Sequence, residues 1–288
     1  AANVAVGFRA MEDNTTGTFN TAVGCAALVT NTTGSFNVSV GTNALVSNTT
    51  AEENTAVGYA ALQDNTTAAN NTAMGSETMK ATTTGADNTA IGKGALRFNT
   101  TGASNVAVGK DALLTSTTAN ANTAVGHKAL CLTTTAIDNV AVGQNTLRTN
   151  TTGANNTGLG KSALKANTTG ASNVAVGRNS LFNNTTGIQN TAVGECALTA
   201  NTTASYNTAT GWSAMERVTT GVENVAFGYN AGKCATTGNS NTSIGASAGC
   251  QLTTGANNTF LGLIAGRVGS PLTVTTGSNN IVIGNNSN

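Results

Sequence analysis

The sequence predicts an all-β repeat fold, a parallel β-solenoid (β-roll) that completes one coil every 17 residues. Three observations carry that prediction. Asparagine recurs without a miss at Asn3, Asn20, Asn37, Asn54, Asn71 and onward to Asn258. Glycine follows each of them at a fixed distance, from Gly7, Gly24, Gly41 and Gly58 to Gly284. Between the two lies a short stretch rich in β-branched residues, as a strand requires.

Numbered 1 to 17, the unit reads N-[TV]-A-[VIL]-G-x-x-A-L-x-x-N-T-T-G-x-x. Fifteen units have this length, a sixteenth (Asn258 to Asn279) carries five extra residues around Val268 to Leu272, and a partial unit occupies 280–288. Residues 1–288 read as one solenoid array, because each unit of such an array meets only its neighbours. Ala1 falls at position 16 of the unit, so the chain opens inside a repeat, as a removed leader or a cut in a longer array would leave it.

Positions 1 to 4 predict a short strand paired in parallel with the same positions of the next coil, with the apolar residue of position 4 (Val6, Val23, Ile91, Val108, Phe227) in the core. The glycine of position 5 marks either a backbone conformation closed to other residues or a close approach of the next coil. From position 6 the order is two polar, two apolar, two polar, as in Lys161-Ser162-Ala163-Leu164-Lys165-Ala166, which predicts a short helical turn or tight bend in each coil. Asn-Thr-Thr at positions 12 to 14 predicts a second short strand, ended by the glycine usual at position 15. The asparagines of position 1 are expected to form a side-chain ladder along the axis.

Charge sorts the positions. All 13 Lys and Arg and all 12 Asp and Glu stand at positions 6, 7, 10, 11, 16 or 17. Since an unpaired charge is almost never buried, these six positions face water and the rest are interior, at turns or stacked. With charged residues at only 9% and a net charge of +1, the chain lacks the basic stripe of a nucleic-acid binder, and low net charge with in-phase Val, Ile and Leu sets it apart from disordered sequence. No apolar run approaches the roughly 20 residues of a membrane-spanning helix, so no membrane insertion is expected.

Catalytic and metal-binding signatures are lacking. His127, the only histidine, stands at position 6 beside Lys128 with no recurring carboxylate, and the five cysteines form no CxxC pair. No enzyme activity and no cofactor are expected. Cys234 and Cys250, at positions 11 and 10 of consecutive coils, are candidates for a disulfide, and the odd cysteine count leaves at least one thiol unpaired or bonded to another chain. Asn-x-Thr sequons at position 12 supply Asn14, Asn31, Asn48, Asn65, Asn99, Asn150, Asn167, Asn184 and Asn201 as candidate glycan acceptors. Against that use, the residues that replace Asn there (Thr82, Ser116, Thr133, Val218, Ala235, Leu252) are small or apolar, as in a half-buried ladder. Paired threonines at positions 13 and 14, from Thr15 and Thr16 to Thr253 and Thr254, predict an outward rank of hydroxyls about 4.8 Å apart.

The strings Asn20-Thr-Ala-Val-Gly-Cys-Ala-Ala and Asn173-Val-Ala-Val-Gly-Arg-Asn-Ser resemble the head repeats of YadA-like trimeric autotransporter adhesins. The fuller N-T-A-V-G-x-x-A-L-x-x-N-T-T-G is similar to repeat regions of bacterial surface proteins and phage tail-fibre proteins, and the match spans the chain. The resemblance implies a left-handed parallel β-roll, often trimeric, in an extracellular fibre or adhesin.

The resulting expectation is an extracellular or cell-surface structural protein, a rod-like filament subunit whose partner is itself. Neither end reads as a polar capping repeat, and Val4 and Val6 at one end and Ile281 and Ile283 at the other are the expected end-to-end interface. The alternative is the adhesive head of a trimeric adhesin or phage fibre that binds glycans or a host surface through positions 6, 7, 10 and 11. An ice-binding protein, using the Thr rank, is the third reading.

Overall fold

A computed structural model describes residues 2–266 and 275–284. The five additional residues at 268–272 lie outside this range. The chain divides into two compact units, Ala1–Gln144 and Asn145–Asn288. Unit 1 contains nine three-residue strands: β1 (Val4–Val6), β2 (Thr21–Val23), β3 (Val38–Val40), β4 (Thr55–Val57), β5 (Thr72–Met74), β6 (Thr89–Ile91), β7 (Val106–Val108), β8 (Thr123–Val125) and β9 (Val140–Val142). Among the described residues unit 2 contains eight: β10 (Thr157–Leu159), β11 (Val174–Val176), β12 (Thr191–Val193), β13 (Thr208–Thr210), β14 (Val225–Phe227), β15 (Thr242–Ile244), β16 (Thr259–Leu261) and β17 (Ile281–Ile283).

Within each unit consecutive strands pair in parallel with no stagger, Val4 on Thr21 and Val106 on Thr123, for example. Each unit is therefore a parallel β-solenoid, one strand per coil. The ladder keeps its register where the sequence spacing changes, since Thr259 pairs with Ile281 across the long sixteenth repeat.

The strand turns its faces the opposite way from the sequence expectation. From the second coil on, position 3, almost always Ala, is buried, while the larger residues of positions 2 and 4 look outward: Ala90 is 0% exposed and Ile91 40%. Side chains alternate along a strand, so only one of positions 3 and 4 can point inward. The space inside is already taken by the Ala and Leu of positions 8 and 9, such as Ala112 and Leu113, both fully buried. A methyl group is what remains room for.

No α-helix occurs among the described residues, so positions 6 to 11 are turns and not a helical turn. Their geometry rests on residues with positive φ at positions 7 and 9, such as Ala26 (54°) and Leu28 (52°), with a third at position 17, such as Phe36 (60°). For a non-glycine residue this conformation costs on the order of 1–2 kcal/mol. The return is a bond along the axis. Ala26 N donates to Phe8 O (2.9 Å), Leu28 N to Ala44 O (3.0 Å) and Phe36 N to Thr18 O (3.0 Å), each to a neighbouring coil. The left-handed residues turn their N–H groups out of the coil's plane, and those groups stitch it to the next.

Position 5 satisfies both sequence readings at once. Gly109 has φ +131°, and a Cβ there would lie 2.7 Å from the backbone of Gly126. The segment at positions 12 to 14 is a bend and not a second strand. Its coils still bond to one another, for Thr32 N donates to Thr49 O at 2.9 Å.

In the last coils position 9 changes from Leu to Gly232, Gly249 and Gly266. The volume is refilled from the strand side. Phe260 occupies position 3, where other coils carry a small residue, and it is fully buried with Ala248, Leu252, Ala265 and Val282. A Cβ on Gly266 would come within 2.4 Å of the Phe260 ring, and one on Gly249 within 2.8 Å.

Candidate functional site

Two asparagine rows run through each unit. At position 1 the side chain bridges two coils: Asn20 N donates to Asn3 Oδ1 (2.8 Å), Asn37 N to Asn20 Oδ1 (2.9 Å) and Asn54 N to Asn37 Oδ1 (3.1 Å). The same amide closes its own coil, since Asn20 Nδ2 donates to Gly34 O and Asn37 Nδ2 to Ala51 O, both at 2.8 Å. One residue type therefore satisfies a backbone donor, a backbone acceptor and itself, all without water.

The second row, at position 12, joins side chain to side chain. Asn31 Nδ2 donates to Asn14 Oδ1 (2.8 Å), Asn48 to Asn31 (2.8 Å) and Asn65 to Asn48 (2.9 Å), and Asn167, Asn184 and Asn201 continue the pattern from Asn150. Asn99, also in this row, bonds Gly102 O at 2.9 Å. These are the sequon residues, and the fold takes them inside. Asn31, Asn48, Asn65, Asn99, Asn150, Asn167, Asn184 and Asn201 are all 0% exposed. A glycan on any of these eight amides is incompatible with the closed coil; Asn14, in the first coil, is half-buried. Where the row is broken, buried polar atoms lack partners: Asn65 Oδ1 and Thr82 Oγ1 at one break, Asn99 Oδ1 and Ser116 Oγ at the next.

Of the paired threonines, position 13 spends its hydroxyl between coils, with Thr15 Oγ1 donating to Thr32 O (2.8 Å) and Thr32 Oγ1 to Thr49 O (3.1 Å). Position 14 is exposed from Thr16 to Thr254 and forms the outward rank.

Cys234 and Cys250 carry separate thiols. Like stacks on like in this fold, so position 10 lies against position 10. Cys250 thus falls in the file of Lys233 and Glu216, which form an ion pair at 3.0 Å, and Cys234 in the adjacent one. His127 is exposed, and no cluster of potential metal ligands is found among the described residues.

The outer surface carries files of side chains one coil apart. Charged positions pair in several places: Arg97 with Glu77 at 3.1 Å, Arg178 with Glu195, Arg9 with Glu12. The hydrogen bond and charge of Glu195 hold the Arg178 guanidinium protonated above its ordinary range. Aromatic rings stack in the same way, Phe19 on Phe36 at 5.2 Å and Trp212 on Tyr229 at 5.1 Å. The strand face of each unit carries partly exposed apolar side chains, Met74 and Ile91 in unit 1 and Leu159, Phe227 and Ile244 in unit 2.

At the strand edges, β1 pairs with β2 and β17 with β16, each through one side only among the described residues. Val4 (52%), Val6 (57%), Ile281 (74%) and Ile283 (73%) are the most open strand side chains there. No family model matches this chain, and searches of curated proteins and of solved structures return no significant match.

Proposed function

We propose that this chain is an extracellular structural protein, a stackable β-solenoid that forms a surface filament by joining copies end to end through β17 of one and β1 of the next. The observation that carries the reading is the direction of the position-1 ladder. Within each unit the position-1 Asn donates its N–H to the Oδ1 of the preceding coil, as Asn37 does to Asn20, Asn71 to Asn54 and Asn280 to Asn258. The β17 coil accordingly presents Asn280 Oδ1 as an acceptor, and the β1 coil presents the Asn3 N–H as a donor. A second copy stacked in register repeats the bonds found between coils: Ile281 N to Asn3 O as Val4 N bonds Asn20 O, and Gly7 N to Ile283 O as Gly24 N bonds Val6 O. A heterologous contact of this kind does not close on itself and yields an open polymer. The resemblance to bacterial surface and fibre repeats supports the extracellular placement.

The purified 288-residue chain tests this by sedimentation and negative-stain microscopy across a concentration series. Open-ended filaments are expected. Ile281→Pro removes the donor aimed at the next copy and should stop growth while each chain stays folded. A chain that remains monomeric at high concentration overturns the proposal.

A second reading, the adhesive head of a trimer, draws on the exposed apolar side chains of the strand face in each unit, because exposed apolar surface marks interaction sites. A fixed trimer in the same experiment would favour it.

A further inference from the structure

Position 6 of unit 2 carries an aromatic file with one rung left out. Trp212 and Tyr229 occupy this position in successive coils, with ring centroids 5.1 Å apart and planes inclined by 11°. The rings therefore lie one above the other along the coil stack, and both stay partly open to solvent, at 44% and 55%. Lys233 Nζ sits 5.2 Å from the centre of the Trp212 ring and 3.0 Å from Glu216 Oε2, so the ion pair holds the ammonium against the indole. The next position 6 is Ala246, a methyl group, and the one after it is Leu263, which is 53% exposed. Strands β14, β15 and β16 pair without stagger, which keeps these coils in file.

We propose that Tyr229, Ala246 and Leu263 form a binding slot for one neutral sugar ring, which stacks on the free face of Tyr229 and takes the rung that Ala246 leaves empty. Two coil steps separate Tyr229 from Leu263, roughly 10 Å. Less the half-thickness of the aromatic ring and of the leucine side chain, that height admits one saturated ring. The negative face of an aromatic ring attracts the C–H face of a pyranose, while the sugar hydroxyls point outward to water and to the flanking polar positions of the same coil, Ser247 and Gln251. A neutral ligand suits the slot because the charges nearest the stack, Lys233 and Glu216, are already paired with each other. The platform is held before the ligand arrives, so little ordering cost opposes binding. The slot lies within one chain and does not rest on the filament reading.

Trp212 is the only tryptophan, so its fluorescence reports directly on the stack. The full chain is titrated with neutral oligosaccharides of glucose, galactose and N-acetylglucosamine, and with phenol and tetramethylammonium for comparison. Saturable quenching or enhancement by at least one sugar series is expected. Tyr229→Ala should weaken it at least about tenfold, equivalent to about 1.4 kcal/mol at 25 °C. Ala246→Tyr fills the rung with a residue that position 6 already accepts at Tyr59, and it should abolish binding while the circular dichroism and melting temperature hold. Tyr59→Ala, in the other unit, should change nothing. The proposal fails if no sugar gives a saturable response, if phenol or tetramethylammonium binds more tightly than every sugar, or if Ala246→Tyr binds as the parent does.

Discussion

Thr82→Asn should make the protein more stable, although it places a larger polar residue at a fully buried site. Thr82 interrupts the position-12 row between Asn65 and Asn99, and both Asn65 Oδ1 and Thr82 Oγ1 are buried without a partner. Its backbone is already that of an Asn rung: Thr82 N donates to Met79 O at 3.2 Å, as Asn65 N does to Leu62 O at 3.2 Å. An asparagine at 82 gains the two bonds its counterparts make, one to the Oδ1 of the previous rung and one to the carbonyl of position 15, and offers its own Oδ1 to Asn99. Each buried group left unpaired costs about 1–3 kcal/mol. With two such groups removed and some crowding from the added atoms, the net gain is about 2 kcal/mol, or roughly 3 °C in melting temperature for a chain of this size. Differential scanning calorimetry measures it, with Thr101→Asn, at exposed position 14, as the control that should shift by less than about 0.5 kcal/mol. An unchanged or lowered melting temperature for Thr82→Asn, with the fold intact by circular dichroism, would refute the claim that the asparagine row is a connected ladder.

Three further outcomes follow from the inside and outside of the coil. Ala107→Asp buries an unpaired charge and should cost several kcal/mol in urea denaturation, while the neighbouring Val108→Asp should cost far less; equal losses would mean that the strand faces have been misassigned. Gly109→Ala strains a φ of +131° and drives a Cβ against the next coil, so loss of native circular dichroism or a fall of several kcal/mol is expected, and a neutral variant would contradict the close approach. Phe260→Ala empties the space left by Gly249 and Gly266 and should destabilise by about 3–5 kcal/mol, with hydrogen exchange accelerated first in the last coils.

The period, the parallel strand at the start of each coil and the outward direction of the charged positions were legible in the sequence; the second strand read at positions 12 to 14 was not borne out, because that segment is a bend. The burial of position 3 in place of position 4 was not legible, because the large apolar residue of position 4, together with the absence of charge there, was read as the core. Positions 2 and 4 lack charge although they are exposed. Like charges directly opposite across a ladder are destabilising, and in this fold a charge repeated at those positions would meet itself at every rung. Missing charge therefore marked stacked positions and not only buried ones. The two-in, two-out pattern of positions 6 to 11 left a helical turn and a tight bend both open; the bend is what forms, and it turns on positive φ at leucine, which seldom adopts it. Leu28, Leu45 and Leu62 all do so here, under constraints that come from neighbouring coils and not from local sequence. Asn43, Asp111, Asn145 and Asn179 at position 7 were the available signal, since Asn and Asp are the non-glycine residues that most readily take that conformation. Phe260 was visible as a large residue at a small-residue position, but its meaning needed the glycines of position 9 beside it.

The rung that joins Asn280 to Asn258 has the same geometry as its shorter-spaced counterparts, with Asn280 N at 3.0 Å from Asn258 Oδ1 across 22 residues instead of 17. Alignment between coils is thus enforced at a few fixed points and is indifferent to how much chain runs between them. Such a molecule can gain or lose whole repeats by recombination without renegotiating any contact, and it can carry a grafted peptide in one loop at no cost to the loops on either side. A peptide added to the sixteenth repeat, whose sequence already carries five extra residues, should leave the rungs at Asn258 and Asn280 undisturbed.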